Sequence, residues 1–160
     1  MSQRLLPAPE MIARLLSGLL GRSVAVKASA AAAKPLGPAC LAARYAEPGG
    51  GIEAVIVFDL PAAAALGAAL TMFPPNVAQA AARAGRLEEG LLDSFREICN
   101  VMSRLAGDGQ AATPVLADVA PLALARPRDI DKLLPTVSGR ADYEIAVSGY
   151  ADGRLVVLFG

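Results

Sequence analysis

Histidine and tryptophan are absent from this chain of 160 residues, cysteine occurs twice, and neither sign of charge is in surplus. Each absence closes a class of function. Without imidazole there is no general base or proton shuttle of the commonest kind, no histidine metal ligand, and no Ser/His/Asp or Cys/His arrangement. Cys40 and Cys99 are too few and too widely spaced for a zinc site, and no secretion signal supports a disulfide between them. Fifteen basic residues balance fifteen acidic ones, and no basic stripe marks a nucleic-acid partner. Long apolar runs are missing at the N-terminus, where Pro7, Pro9, Glu10 and Arg14 interrupt the segment that a signal peptide or membrane span would need. These features predict a soluble, cytoplasmic protein with no membrane association. Aromatic residues make up only 4%, so stability has to come from many Leu, Ile and Val contacts rather than a few large rings.

What is present fits a single domain over residues 1–160, long enough to bury a sizeable core. Met11, Ile12, Leu15, Leu16 and Leu19 recur at helical spacing from Ala8 to Leu20, with Gly21 as the stop. Ser23–Ser29 alternates and predicts a first strand; Ala30–Lys34 reads as a loop or strand extension before Pro35 and Pro38. Two strand-like runs, Cys40–Glu47 and Ile52–Phe58, flank Pro48-Gly49-Gly50-Gly51 and predict a hairpin. The glycines are a turn rather than a phosphate loop, since no Lys-Ser/Thr and no helix follow. Pro61 fits the first turn of a second helix with Asp59 as its cap, ending before Pro74-Pro75. Asn76 is placed as the cap of a short third helix ending near Gly85, and a long helix follows to Gly107-Asp108-Gly109. Beyond it, Pro114–Ala125 is mainly extended, with Pro121 compatible with an edge or a bend. Asp129–Leu134 reads as one helical turn. Asp152-Gly153 between Tyr143–Tyr150 and Arg154–Phe159 predicts a closing hairpin. The predicted class is α+β, with a mostly antiparallel sheet packed with helices.

The stretch Leu87–Ala106 carries the chemistry. At about 100° per residue, Asp93, Glu97, Asn100 and Arg104 fall within an arc of about 60°, opposite Leu91, Phe95, Ile98, Met102 and Leu105. The apolar side docks the helix on a core. A carboxylate and a carboxamide at i and i+3 point the same way and can act on one target. Ordinary readings stand beside this one. Glu97 and Asn100 are tolerated on any solvated helix face, Arg104 can bond Asn100 or Glu97, and Asp93 can be a plain surface acid. Cys99 falls on the flank of the apolar face, where a cysteine is more often a small hydrophobe than a nucleophile.

The segment Asp93-Ser94-Phe95-Arg96-Glu97-Ile98-Cys99-Asn100 resembles the D/S-x-x-x-E-x-x-N signature of the CheC/CheX/FliY chemotaxis phosphatases. Pro121 lies near the proline that follows this signature in the family, and the order of elements resembles the CheX fold over nearly the whole chain. The resemblance implies an enzyme that removes phosphate from the aspartyl-phosphate of a CheY-like response regulator. Asn100 would position the attacking water, and Glu97 would pair with a lysine beside the phosphoryl group. Asp93 and Arg104 would contact the partner. The Mg²⁺ would be the regulator's, leaving the chain with no cofactor of its own. In the first helix Ala13 stands where an Asn would have to follow Glu10, so a single motif makes CheX-like members the better match. Those members imply a homodimer joined through its sheets. Val101, Met102, Ser103 and Arg104 replace the small residues common after the Asn, and Cys99 replaces a frequent glycine. The alternative is a non-catalytic CheX-like module that binds a regulator or another signalling protein. A third possibility is an unrelated ligand domain with a pocket between helix and sheet.

Overall fold

A computed structural model describes residues 6–29, 37, 39–49, 51–107, 114–122 and 139–159. Among these described residues ten elements follow one another: α1 (Pro9–Leu20), β1 (Val24–Ala28), β2 (Leu41–Ala46), β3 (Ile52–Phe58), α2 (Leu60–Leu70), α3 (Pro75–Ala84), α4 (Glu89–Gly107), β4 (Val115–Pro121), β5 (Gly139–Val147) and β6 (Gly153–Phe159). The strands form a six-stranded sheet in the order β1-β5-β6-β3-β2-β4, and every neighbouring pair is antiparallel. The predicted α+β class and antiparallel sheet are therefore observed.

Alternation along the strands separates two apolar layers, because successive side chains point to opposite faces. Ala43 and Tyr45 on β2, Ile56 and Phe58 on β3, Tyr143 and Ile145 on β5, and Leu155 and Val157 on β6 join Ile12 and Leu16 of α1 and the inner faces of α2 and α4 in one core. The opposite faces of the central strands place Ala42, Val55, Val57, Val156 and Leu158 in a second, smaller cluster with Leu122. Strands buried on both faces read as near-continuous apolar runs, as Ile52–Phe58 and Leu155–Phe159 do. At the sheet's edge, β4 holds Pro121, where the missing N–H costs no ladder bond. Arg44 on β2 bridges to Asp118 on β4 with Nε to Oδ1 at 2.5 Å.

Helix α2 is capped as expected, with the Asp59 carboxylate accepting from the Ala62 N–H at 2.9 Å. Burial pushes the Asp59 carboxyl above its ordinary value, against the lowering effect of that bond. Two local expectations are corrected. Asn76 is not the cap of α3: Pro74 occupies that position with no side-chain bond, and the helix begins at Pro75. Proline's fixed φ suits the first helical position, so the chain turns helical before Asn76. The β5–β6 connection does not turn on Asp152-Gly153 either. It turns after Val147, with Gly149 at φ 89° and the Tyr150 N–H bonded to Val147 O at 2.9 Å. Gly153 already pairs with Ile145 in the sheet. A Cβ there would sit 2.5 Å from the Ala62 nitrogen, so this glycine lets the start of α2 rest on β6. The readings of Ala30–Lys34 and Asp129–Leu134 lie outside the described residues. No helix among the described residues is long and apolar enough to cross a membrane.

Candidate functional site

Helix α4 is seated on the core by three close fits. Phe95 and Phe58 of β3 meet edge to face, with ring centroids 4.9 Å apart, an arrangement worth about 0.5–1.5 kcal/mol beyond the area it buries. The Tyr45 hydroxyl, fully buried on β2, donates to the Cys99 carbonyl at 2.7 Å. Gly67 of α2 meets α4 so closely that a Cβ on it would lie 2.9 Å from the Leu91 carbonyl oxygen. Leu91, Phe95, Ile98, Met102 and Leu105 are all buried, as their spacing predicts.

Cys99 is buried too, at 0% exposure, and belongs to the core. Burial drives its thiol well above the ordinary range. A thiol held protonated is neither a nucleophile nor a metal ligand. Among the described residues no group of acidic or cysteine side chains is arranged to hold a metal ion.

The opposite side of α4 is a solvent-facing polar stripe. Asp93, Glu97, Asn100 and Arg104 are all exposed. Asp93 lies 3.8 Å from Arg96, a loose surface pair. No hydrogen bond or ion pair with another described residue engages the side chains of Glu97, Asn100 or Arg104. The alternative in which Arg104 bonds Asn100 or Glu97 is therefore not what the structure has. Ser103 donates to the backbone carbonyl of Asn100 at 2.7 Å, leaving the carboxamide free. Glu97 and Asn100 stand about 4.5 Å apart along the axis, at 1.5 Å per residue. One carboxylate and one carboxamide, unpartnered on a rigid, well-seated helix, can reach into a concave site on another macromolecule.

One neighbour of this stripe escaped the sequence reading. Helix α1 runs beside α4, and the two line an open groove of about 650 Å³ that includes Arg14, Arg104 and Val101. Arg14 is an unremarkable helix residue until the fold places it across from Arg104. The contact at Gly67 was also missed, although a lone glycine within the alanine-rich Leu60–Leu70 is a readable sign of close packing.

No family model matches this chain, and no curated protein matches it. Solved structures do resemble it in fold. FliY of Thermotoga maritima is 12% identical and aligns over 93% of this chain and 82% of its own, with a TM-score of 0.50. FliM from the FliM–SpeE complex of H. pylori is 11% identical over 94% of this chain and 80% of its own, at 0.59. The FliM middle domain of Vibrio alginolyticus is 12% identical over 94% and 89%, at 0.57. At such identities the likeness is one of fold: this chain has the architecture shared by FliY and the FliM middle domain.

Proposed function

We propose that the chain is a CheX-like phosphatase acting on the aspartyl-phosphate of a CheY-like response regulator, with Glu97 and Asn100 as its working pair. The observation that carries this reading is the exposed, unpartnered Glu97–Asn100 pair on a helix seated on the core through Tyr45 and Gly67. The FliY-like fold supports it. The reaction asks little covalent work of the protein, because phosphoryl transfer is governed by positioning and charge. A water oxygen attacks phosphorus, the bond from phosphorus to the aspartyl oxygen breaks, and a free carboxylate and inorganic phosphate leave. The Asn100 carboxamide orients that water with no change of protonation, so the lack of histidine is no obstacle. Glu97 pairs with a lysine beside the phosphoryl group and fixes the depth at which the helix docks. The Mg²⁺ involved is the regulator's.

Homodimerisation through a sheet edge belongs to the same proposal, with β1 and β4 as the two edge strands. A second reading, a non-catalytic binding module, is favoured by FliM middle domains being among the similar folds. Phosphate release from phosphorylated CheY-like regulators of the source organism separates the two. Wild type accelerates release and Glu97→Ala and Asn100→Ala do not, if the pair is catalytic. Binding without acceleration by any of the three proteins establishes the module instead.

A further inference from the structure

The groove between α1 and α4 has an apolar floor and a charged rim of one sign. Met11, Leu15 and Leu19 of α1 and Val101 of α4 contribute the floor, and Arg14 and Arg104 stand on opposite walls. Met11 is 41% exposed, high for a large apolar side chain on a helix that buries Ile12 and Leu16 completely. Both arginines are exposed, and neither has an ion pair or hydrogen bond with another described residue. None of the described residues that line the groove is acidic. Its open volume of about 650 Å³ suits a row of anchoring side chains from a helix laid along it, the i, i+3, i+4, i+7 mode of groove recognition.

We propose that this groove docks an amphipathic helix of the partner protein that carries acidic side chains beside an apolar seam. The apolar seam covers Met11, Leu15, Leu19 and Val101, and the flanking carboxylates pair with Arg14 and Arg104. Unlike charges across a rim set the register and speed encounter more than they add affinity. Identifying the helix as the regulator's rests on the phosphatase reading above; the charge pattern of the groove does not. Arg104, a departure from the small residues usual at its place in the resembling family, becomes a selectivity element rather than an obstruction.

The test uses two fluorescent 18-residue helical peptides with the same leucine seam, one flanked by glutamates and one by lysines. Each is titrated against the full chain by anisotropy. The glutamate peptide binds wild type and weakens as salt rises, since exposed charges are screened over about 8 Å at physiological ionic strength. R14E/R104E loses about tenfold in affinity for it, equivalent to about 1.4 kcal/mol, and gains affinity for the lysine peptide. Arg83→Glu, the same reversal on α3, binds like wild type. R14A/R104A serves as a second pair of substitutions, and circular dichroism confirms that each variant is folded. Equal binding of the two peptides overturns the proposal, as does indifference to the reversals. Self-association of the chain that R14E/R104E abolishes also overturns it, because the occupant is then a second copy. If peptide binding follows the arginines while no regulator is dephosphorylated, the groove stands and the catalytic reading falls. If regulators are dephosphorylated while the peptides are not discriminated, the groove falls alone.

Discussion

Helices α1 and α4 lie side by side on one face of the sheet, and both are amphipathic, yet only one carries a polar constellation. Helix α1 buries Ile12 and Leu16 and is fastened at its ends: the Tyr143 hydroxyl donates to Pro7 O at 2.6 Å, and Ser17 Oγ accepts from the Val24 N–H at 3.1 Å. Its outer surface has Glu10, but Ala13 stands three residues on. Helix α4 is longer, 19 residues against 12, and is fastened at its middle by Phe58 and Tyr45 and in its first turns by Gly67. The contacts at Phe95 and Cys99 lie within two residues of Glu97 and Asn100, on the inner side of the helix. Seating a helix on this core thus does not require an exposed acid and amide at i and i+3, because α1 is seated without them. The proposed function draws on this difference: it needs an outer face that an anchored inner face holds still.

Phe95→Ala removes the ring packed on Phe58 and is expected to cost about 3–5 kcal/mol in urea unfolding, whereas Leu16→Ala on α1 costs about 2–5. At a temperature where both variants stay folded, only Phe95→Ala should slow phosphate release, because only it loosens the site helix. Gly67→Ala presses a methyl against the Leu91 carbonyl. It is expected to cost about 1–3 kcal/mol and to lower activity as α4 shifts, and a matching Gly18→Ala on α1, where a Cβ meets open space, should do neither.

Alkaline pH should loosen the core under α1 and α4. Burial raises the Cys99 thiol from an ordinary 9.0 and the Tyr45 phenol from 10.0, and pushes Tyr143 up to about 12. The unfolded chain ionises these groups first, so the native state holds more protons. Their contribution to stability is complete below pH 9 and drains away as pH rises from 9 toward 12. Tyr45→Phe, which deletes the bond to the Cys99 carbonyl, is expected to cost about 1 kcal/mol and to flatten the loss above pH 10 in a pH series of thermal melts. Last and smallest, Glu97→Ala and Asn100→Ala should each change stability by at most about 0.5 kcal/mol, as exposed substitutions do.

Much of the fold was legible because the burial of each element writes a period into the sequence. The 3.6-residue repeat of Leu91, Phe95, Ile98, Met102 and Leu105 and the two-residue repeat of Tyr143, Ile145 and Val147 both correspond to buried faces. Local turn chemistry was less reliable. Asp152-Gly153 has the composition of a hairpin turn, but Gly153 is required by its distance to Ala62, which only the tertiary structure reveals. Asn76 looked like a cap because caps are polar, and the two prolines before it started the helix first. The polar stripe of α4 was readable because exposure and spacing are properties of one helix. The arginine-walled groove was not, because Arg14 and Arg104 are ninety positions apart and meet only through packing.

In the proposed mechanism Asn100 acts on the reaction rather than on the fit between the two proteins. The measurement is a single-turnover assay of a phosphorylated CheY-like regulator with saturating wild type or Asn100→Ala, with binding followed in the same titration. Under the proposed mechanism Asn100→Ala binds within a few-fold of wild type and releases phosphate no faster than the regulator alone. Release by Asn100→Ala at the wild-type rate would contradict it.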